Sequence, residues 1–350
     1  MKYMKTAAAF AAAALVLVSA CTTPGGTTPT TTAPSPDATG GTTTEAPAGL
    51  RMTILPKNLG NPYFETSTKG AEAAAAEIGA TTELVGPTEG AADAQVPYIE
   101  TATQQKVDAI QISANDQTAL CDAIKAAQAA GIKIVTFDSD APGCRDLFIN
   151  QATSEGIAKV LVEMAVDQAG GSGEIAVLSA TANATNQNAW IEAMKTDLAA
   201  NHPDITLVDV VFGDDQDQKS FDETQALLQK YPNLKVIVAP TTVGIAAAAR
   251  YISTSDAKGK VLVTGLGTPN DMREFVKDGT VKEFALWNPE DLGYLTTFAA
   301  AALVNGEITG AEGDKFTAGK LGEYTVGADS TVLLGDPYKF NAENIDNFNF

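Results

Sequence analysis

The sequence predicts an α/β protein made of two similar halves, each with a parallel sheet covered by helices. From residue 51 onward, short β-branched segments alternate with longer alanine-rich segments of helical periodicity. The loops between them are short, as in parallel sheets whose strands are joined by helices. The alternation starts again after residue 150, and 350 residues exceed the usual size of one domain. Two lobes are therefore expected.

The individual elements follow from this alternation. In the first half, strands are predicted at 51–55, 82–85, 109–112 and 133–137, and helices at 64–78, 94–104 and 117–130. In the second half, strands are predicted at 174–178, 206–212, 236–239 and 261–264, and helices at 154–168, 187–200, 219–230 and 245–253. The C-terminal part adds a strand at 284–288, a helix at 291–304 and short segments at 324–326 and 332–334 that suit chain crossings between lobes.

The N-terminus has the features of a targeting signal. Lys2 and Lys5 precede an apolar run, 7–18, that is too short to span a bilayer comfortably and ends at Val18-Ser19-Ala20-Cys21. This ending resembles the lipobox of bacterial lipoproteins, so residues 1–21 are interpreted as a lipoprotein signal peptide with Cys21 as the lipidated residue. An ordinary signal peptide with an incidental cysteine is the alternative.

Residues 22–49 consist almost entirely of Thr, Pro, Gly, Ala and Ser, with no apolar periodicity. Such a segment buries too little apolar surface to offset its ordering entropy, so a disordered tether is expected. A soluble body would then be held at a membrane through the lipid anchor only.

Charge and residue usage exclude several functions. The chain has 23 basic and 43 acidic residues, a net charge of −20, which disfavours binding to nucleic acid or to anionic membrane surfaces. The only histidine, His202, permits neither a histidine-based triad nor a clustered metal site. A glycosidase with two carboxylates is not excluded by residue count, but no pair stands out by position. We expect no enzyme, metal or cofactor.

Cys121 and Cys144 remain once Cys21 is assigned to the signal. Outside the cytoplasm two thiols can pair, and two unpaired buried thiols are the alternative.

Polar side chains follow the predicted strands in both halves, where open α/β sheets bind ligands. Lys57 and Asn61 precede Tyr63 and Phe64, a combination of polar groups and aromatic faces that suits a sugar, although both aromatics are equally compatible with a core role. Asp138 directly follows a strand, and a carboxylate there accepts two hydroxyl protons.

The second half offers matching groups. Asn186 and Gln187 lie at a helix start, where helix capping by Asn186 is the alternative to ligand binding. Pro240 and Thr242 follow another strand, and Trp287 and Asn288 lie near the boundary between lobes.

With these segments in view, residues 51–350 resemble the periplasmic sugar-binding proteins of ABC importers, in the ribose-binding-like type I group and its rhamnose-binding and autoinducer-2-binding branch. The likeness is carried by residues 86–88, 112–116, 137–139, 184–190, 239–242 and 279–289. It implies two Rossmann-like lobes joined by a three-segment hinge. The N-terminal lobe would comprise 50–150 plus 285–323, and the C-terminal lobe 151–284 plus 324–350.

The resemblance also implies a set of site residues. It pairs Cys121 with Cys144 and makes the following ligand contacts: Lys57, Asp138, Asn186, Gln187, Pro240 and Thr242, with Asn61, Phe64, Trp287 and Asn288 as further candidates. Autoinducer-2 receptors carry an acid in place of Asn186 and alanine in place of Thr242, whereas rhamnose-type receptors match both positions. Rhamnose is therefore favoured over autoinducer-2.

The expected function is an extracytoplasmic, lipid-anchored, monomeric solute-binding protein that captures a neutral sugar and delivers it to the membrane subunits of an ABC permease. Three alternatives remain. They are an autoinducer-2 receptor or importer component, a sugar sensor for a membrane signalling receptor, and a surface enzyme that acts on a sugar.

Overall fold

The computed structural model describes residues 49–350; Cys21, the predicted signal peptide and the tether up to residue 48 lie outside the described residues. In chain order, the strands are β1 Arg51–Leu55, β2 Thr81–Leu84, β3 Ala109–Ile112, β4 Lys133–Phe137, β5 Leu147–Asn150, β6 Gly173–Ser179, β7 Ile205–Phe212, β8 Leu234–Ala239, β9 Leu262–Gly265, β10 Glu283–Leu286, β11 Lys315–Thr317, β12 Glu323–Thr325, β13 Thr331–Leu333 and β14 Tyr338–Asn341.

The helices alternate with these strands as expected. They are α1 Pro62–Glu77, α2 Ala92–Gln105, α3 Cys121–Ala129, α4 Ser154–Ala169, α5 Thr185–Asn201, α6 Asp217–Lys230, α7 Thr242–Thr254, α8 Pro269–Lys277 and α9 Pro289–Asn305. Among these helices none is both long and apolar enough to cross a membrane.

Two parallel sheets organise the chain. The first has the order β13-β5-β4-β3-β1-β2 and the second β7-β6-β8-β9, with every pairing parallel. A bridge between Leu266 and Ala285 extends the second sheet to β10, which pairs antiparallel with β14. The predicted α/β class is confirmed. We call the first sheet with α1, α2, α3 and α9 the first lobe, and the second sheet with α4 to α8 the second lobe.

In each sheet, the first strand in chain order lies between the second and the third. The strand order therefore reverses at the same point in both sheets. In the first lobe it lies between β1 and β3, and in the second between β6 and β8. Ligands of open α/β sheets bind at the carboxyl ends of strands beside this point. The loops after these four strands are therefore expected to meet at one site.

The chain passes between the lobes three times. It enters the second lobe at 151–153, returns through 287–288 and crosses again at 334–337. The lobe boundaries expected at 285 and 324 differ from those that the pairing of the strands defines. β10 remains in the second lobe because it pairs with β14, and β12 and β13 remain in the first because they pair with β11 and β5.

Two glycines allow α1 and α9 to pack closely. A Cβ on Gly70 would lie 1.8 Å from the Glu290 carbonyl oxygen, and a Cβ on Gly293 would lie 1.9 Å from that of Ser67. Side chains at these positions would force the helices apart. The close packing brings the N-terminal ends of α1 and α9 together, and both ends contribute to the site described below.

The structure joins Cys121 to Cys144 in a disulfide with a Cα–Cα distance of 5.4 Å, the pairing that the resemblance implies. The bond links the start of α3 to the loop after β4. Neither cysteine lines the central cavity described below.

Candidate functional site

A cavity between the two lobes lies at the carboxyl ends of the strands. Nine of the ten predicted ligand contacts line it, with Asn288 as the exception. The lining residues are Lys57, Asn61, Tyr63, Phe64, Asp138, Asn186, Gln187, Trp190, Asp215, Pro240, Thr241, Thr242, Leu266, Leu286 and Trp287.

Lys57 is held in place by a buried amide network beneath its loop. Gln95 on α2 donates to the carbonyls of Pro56 and Ser113, both at 2.9 Å, and accepts from the Asn115 backbone N–H. Asn115 in turn donates to the Lys57 carbonyl at 2.8 Å. The loops after β1 and β3 are thereby tied together, which fixes the backbone from which the Lys57 ammonium extends.

Asp138 adopts a backbone conformation that aims its carboxylate into the cavity. Its φ of +60° and the 2.6 Å hydrogen bond from the Ser139 N–H to the Phe137 carbonyl define a γ-turn. Such a conformation costs free energy in a non-glycine residue and is typical of functional sites. Ser113 donates to the carboxylate at 2.7 Å, and the Lys57 ammonium lies 3.8 Å from it.

Tyr63 links the aromatic side chains to this carboxylate. The Trp287 indole N–H donates to the Tyr63 hydroxyl at 2.9 Å, and that hydroxyl donates to Asp138 at 3.2 Å. Burial, followed by the charge of Asp138, raises the pKa of Tyr63 well above its ordinary value. The hydroxyl therefore remains a donor across the physiological pH range.

The aromatic rings form an apolar wall of the cavity. Tyr63 contacts Phe64 and Trp287 edge-on, at centroid distances of 5.0 and 6.1 Å, and Trp190 lies 6.1 Å from Trp287. This edge-to-face packing fixes the ring planes. Both aromatics of the 63–64 pair thus line the cavity as well as pack internally.

Asn186 bridges the charged pair from the opposite lobe. The Lys57 ammonium donates to its side-chain oxygen at 2.8 Å, and its amide nitrogen lies 3.4 Å from the Asp138 carboxylate and 3.3 Å from the Asp138 carbonyl. The N-cap of α5 is Ala184, so Asn186 does not act as the helix cap. A neutral amide here provides both the acceptor and the donor that these neighbours require.

Gln187 presents an unpaired acceptor beside the cavity. Its amide nitrogen donates to the Pro240 carbonyl at 3.2 Å, which explains the position of Pro240. Its side-chain oxygen is buried without a hydrogen-bond partner in the described residues. A buried acceptor left unpaired costs about 1–3 kcal/mol, so a ligand hydroxyl that reaches it would be favoured.

Asp215 is a wall residue that the sequence reasoning missed. It follows β7 by three residues, has a φ of +52° and accepts a short hydrogen bond from Thr241. The residue keeps some exposed surface, but its carboxylate lies at the cavity, where burial raises its pKa. The rule that selected Asp138, a carboxylate just after a strand, applies here too.

The remaining differences between the predicted and the observed lining concern one predicted residue and four residues that were not predicted. Asn288 is the N-cap of α9, where it accepts from the Glu290 N–H at 3.0 Å and donates to Asp291, and it does not line the cavity. Trp190 was overlooked as a lining residue although it lies one helical turn after Asn186. Thr241, Leu266 and Leu286 also line the cavity, and no signal in the sequence separates them from ordinary core residues.

The side chains that line the cavity are suited to binding a ligand. His202 caps the C-terminal end of α5, roughly 24 Å along the helix from Asn186. No group of three His, Cys, Asp or Glu side chains within residues 49–350 is arranged to hold a metal ion. The groups that converge are one ammonium, carboxylates, amides, hydroxyls and aromatic rings, which suits a small neutral molecule with several hydroxyls.

A family model for the periplasmic binding protein domain matches residues 52–308. The chain belongs to this family. The cavity described above lies between two parallel sheets at the carboxyl ends of their strands, where open α/β sheets bind ligands. Among curated proteins, this periplasmic binding protein is 25% identical over 271 residues to the D-allose-binding periplasmic protein of Escherichia coli (strain K12), covering 72% of this chain and 83% of that one.

Solved structures extend the comparison. A sugar ABC transporter protein from Actinomyces odontolyticus is 54% identical, with a TM-score of 0.70, covering 86% of this chain and 98% of that one. A solute-binding protein from Clostridium phytofermentas with bound L-rhamnose is 39% identical, with a TM-score of 0.83 and coverage of 85% and 98%. LsrB from Clostridium saccharobutylicum, in complex with AI-2, is 25% identical, with a TM-score of 0.81 and coverage of 86% and 100%. Such relatives are binding proteins, and the expectation that this chain is not an enzyme is confirmed.

Proposed function

We propose that this periplasmic binding protein is the sugar-binding component of an ABC importer and that its ligand is L-rhamnose. The observation that carries the proposal is the meeting of polar groups from both lobes at one cavity beside an aromatic wall. Aromatic faces pack against the C–H faces of a sugar ring, while amides and carboxylates pair with its hydroxyls. The permease is the partner to which the sugar would be delivered.

Several groups in the cavity are free to pair with hydroxyls. The Asn61 amide nitrogen, the Trp190 indole N–H and the Gln187 side-chain oxygen make no hydrogen bonds within residues 49–350. The first two are donors and the third is an acceptor. A hydroxyl both donates and accepts, so a polyol satisfies all three at once, whereas a ligand carrying only acceptors leaves Gln187 unpaired.

Asn186 favours rhamnose over autoinducer-2. Its amide nitrogen faces the Asp138 carboxylate at 3.4 Å, a contact that an acidic side chain would replace with repulsion between like charges. Autoinducer-2 receptors carry that acid, as noted above, and this chain does not. The relative with bound L-rhamnose is also the more similar, at 39% identity against 25% for the AI-2 complex.

Lobe closure supports a role in capture. Contacts such as that of Lys57 with Asn186 cross directly between the lobes. The structure is more similar to the two ligand complexes, with TM-scores of 0.83 and 0.81, than to the 54% identical chain at 0.70. We infer that the structure is the closed form of the protein and that the three crossings act as the hinge.

Titration of the chain with L-rhamnose and with autoinducer-2 tests the ligand. The only two tryptophans, Trp190 and Trp287, both line the cavity, so their fluorescence reports binding without a label alongside calorimetry. We expect rhamnose to bind at about micromolar Kd, roughly 8 kcal/mol. Absence of both heat and a fluorescence change with rhamnose would overturn the choice of ligand, and tighter binding of autoinducer-2 would reverse it.

The protein acts outside the cytoplasm, as its family does. We further propose that Cys21 carries the lipid anchor and that the protein is a monomer. Metabolic labelling with a radioactive fatty acid tests the anchor: the full chain is expected to take up label and the Cys21→Ala variant none. Equal labelling of both would contradict the assignment.

A further inference from the structure

We propose that the sugar cavity continues into a second groove that binds another hydroxyl-bearing ring attached to the sugar, so that the protein accepts disaccharides as well as the free sugar. This inference rests on the proposed function and extends it. It concerns an opening between the lobes that persists in the closed form. The groove has a volume of about 320 Å³.

The groove is continuous with the cavity. Asn61, Thr242 and Asp215 line both, so a ligand atom beside any of them can be joined to a group in either space. Beyond them the groove runs between the loop before α1, on the first lobe, and the starts of α6, α7 and α8 on the second. The residues found only in the groove are Asn58, Gly60, Pro62, Asp217, Val243, Ala246 and Asp271.

The groove has polar groups that lack partners. Asn58 is 8% exposed, and its side-chain oxygen is buried without a hydrogen bond. Asp217 uses one oxygen on Arg250 and Asp271 uses one on Thr268, and within residues 49–350 their second oxygens make no hydrogen bond. These atoms are all acceptors: the buried Asn58 oxygen needs a donor, which a sugar hydroxyl supplies, and the two exposed carboxylates can exchange water for sugar hydroxyls.

The groove also has an apolar side. Pro62, Val243 and Ala246 keep part of their surface exposed, and together they offer a face for the C–H side of a ring. Gly60 has a φ of +77°, and a Cβ built on it meets no atom within 4 Å, so the loop leaves the entrance open. The groove thus combines apolar and acceptor surfaces, as the cavity does.

Calorimetric titrations with the full chain test the groove. The probes are L-rhamnose and two disaccharides that join it to glucose, one through O1 of rhamnose (rutinose) and one through O4. We expect at least one disaccharide to bind within about tenfold of rhamnose. In Ala246→Trp, which fills the groove, its affinity should fall by about tenfold or more while that for rhamnose changes by less than about threefold.

A control variant and a second groove variant distinguish an effect on the groove from an effect on the fold. Ala199→Trp places the same ring on an exposed position of α5 and should change neither affinity. Asp271→Lys, on the exposed rim, is a second groove variant in case Ala246→Trp does not fold, and it should weaken the disaccharide selectively. If rhamnose binds and neither disaccharide does, the groove proposal is overturned and the proposed function stands. Equal losses of affinity for rhamnose and the disaccharide in the groove variants would also overturn the groove proposal alone. No binding of any of the three sugars overturns the proposed function with it.

Discussion

The walls that the two lobes contribute to the cavity differ in charge and in how completely they are paired. In the first lobe, Lys57, Tyr63 and Asp138 contact one another or are fixed by Ser113 and the Gln95 network. Within residues 49–350, the second lobe contributes amides, hydroxyls and one carboxylate, Asp215, but no cation, and the Gln187 side-chain oxygen is unpaired.

This difference suggests a division of labour. Paired charges are already oriented before a ligand arrives, so the first lobe forms a preorganised half-site that binds the sugar first. Neutral groups with unmet hydrogen bonds gain most when the ligand is enclosed, so the second lobe adds binding energy only on closure. Substitutions in the two walls should therefore have effects of different size.

The largest effect on binding is expected from Asp138→Asn. The substitution removes the charged acceptor for ligand hydroxyls and the partner of the Lys57 ammonium. Hydrogen bonds to charged groups contribute about 1.5–3 kcal/mol, so the Kd for the sugar should rise by roughly 10- to 100-fold. Calorimetry measures the Kd, and circular dichroism checks that the unliganded variant is folded, because a buried Lys57 ammonium without its partner should itself lower the Tm.

Asp140→Asn is the matched control for this charge. Asp140 pairs with Arg145 at 2.9 Å and does not line the cavity, so its loss should lower the Tm without changing the Kd. Equal weakening of binding by both variants would mean that the carboxylates act through the fold of the first lobe.

Removing the disulfide tests whether the cavity wall of the first lobe needs this bridge to keep its arrangement. The bridge spans 23 positions, and replacing Cys121 and Cys144 by serine should lower the free energy of unfolding by about 3 kcal/mol. The Kd for the sugar should change by less than about threefold, since neither residue lines the cavity. Denaturant unfolding and calorimetry measure the two quantities, and a large loss of affinity would show that the wall needs the bridge.

A smaller loss is expected from Gln187→Leu on the second wall. The leucine keeps the volume but removes the unpaired acceptor and the bond to the Pro240 carbonyl. Loss of a neutral hydrogen bond corresponds to about 1 kcal/mol, or roughly a five- to tenfold rise in Kd. Asn188→Leu, one residue along, should leave the Kd unchanged. A loss as large as that of Asp138→Asn would remove the distinction between the walls.

The smallest effect concerns Asp215 and pH. Because burial raises the pKa of this carboxyl, ionising it costs the folded protein stability that is present at low pH and is lost as pH rises through the folded-state pKa. Asp215→Asn should therefore match the wild-type Tm below about pH 4 and exceed it by roughly 1–2 °C at neutral pH. Tm measured across this range, with Asp256→Asn as the exposed control, checks the sign. A variant less stable at neutral pH contradicts it.

Much of the architecture was predictable because it depends on local patterns. The strands at 51–55, 109–112 and 133–137 have their predicted bounds, since β-branched runs between short loops define them. β5 was missed because only Leu147 to Ile149 carry its pattern. α8 was missed because its sequence is mostly charged, although Thr268 followed by Pro269 is a helix-start signal.

The site was predictable where a polar residue directly follows a strand, and less so elsewhere. Asp138 satisfies that rule and lines the cavity, and Gln187, predicted from its place at a helix start, lines it too. Asn288 satisfies it too, yet its side chain caps α9, because a pattern does not determine the direction of a side chain. Gln95 lies far along the chain from the loops that it joins, and such long-range hydrogen bonds leave no local signal.

A crystal structure of the chain with L-rhamnose tests the central claim most directly, that both walls bind one sugar. We predict a single sugar in the cavity, with one hydroxyl within roughly 3 Å of the Asp138 carboxylate and another within roughly 3 Å of the Gln187 side-chain oxygen. A sugar held by one lobe alone, or bound outside the cavity, would contradict the account.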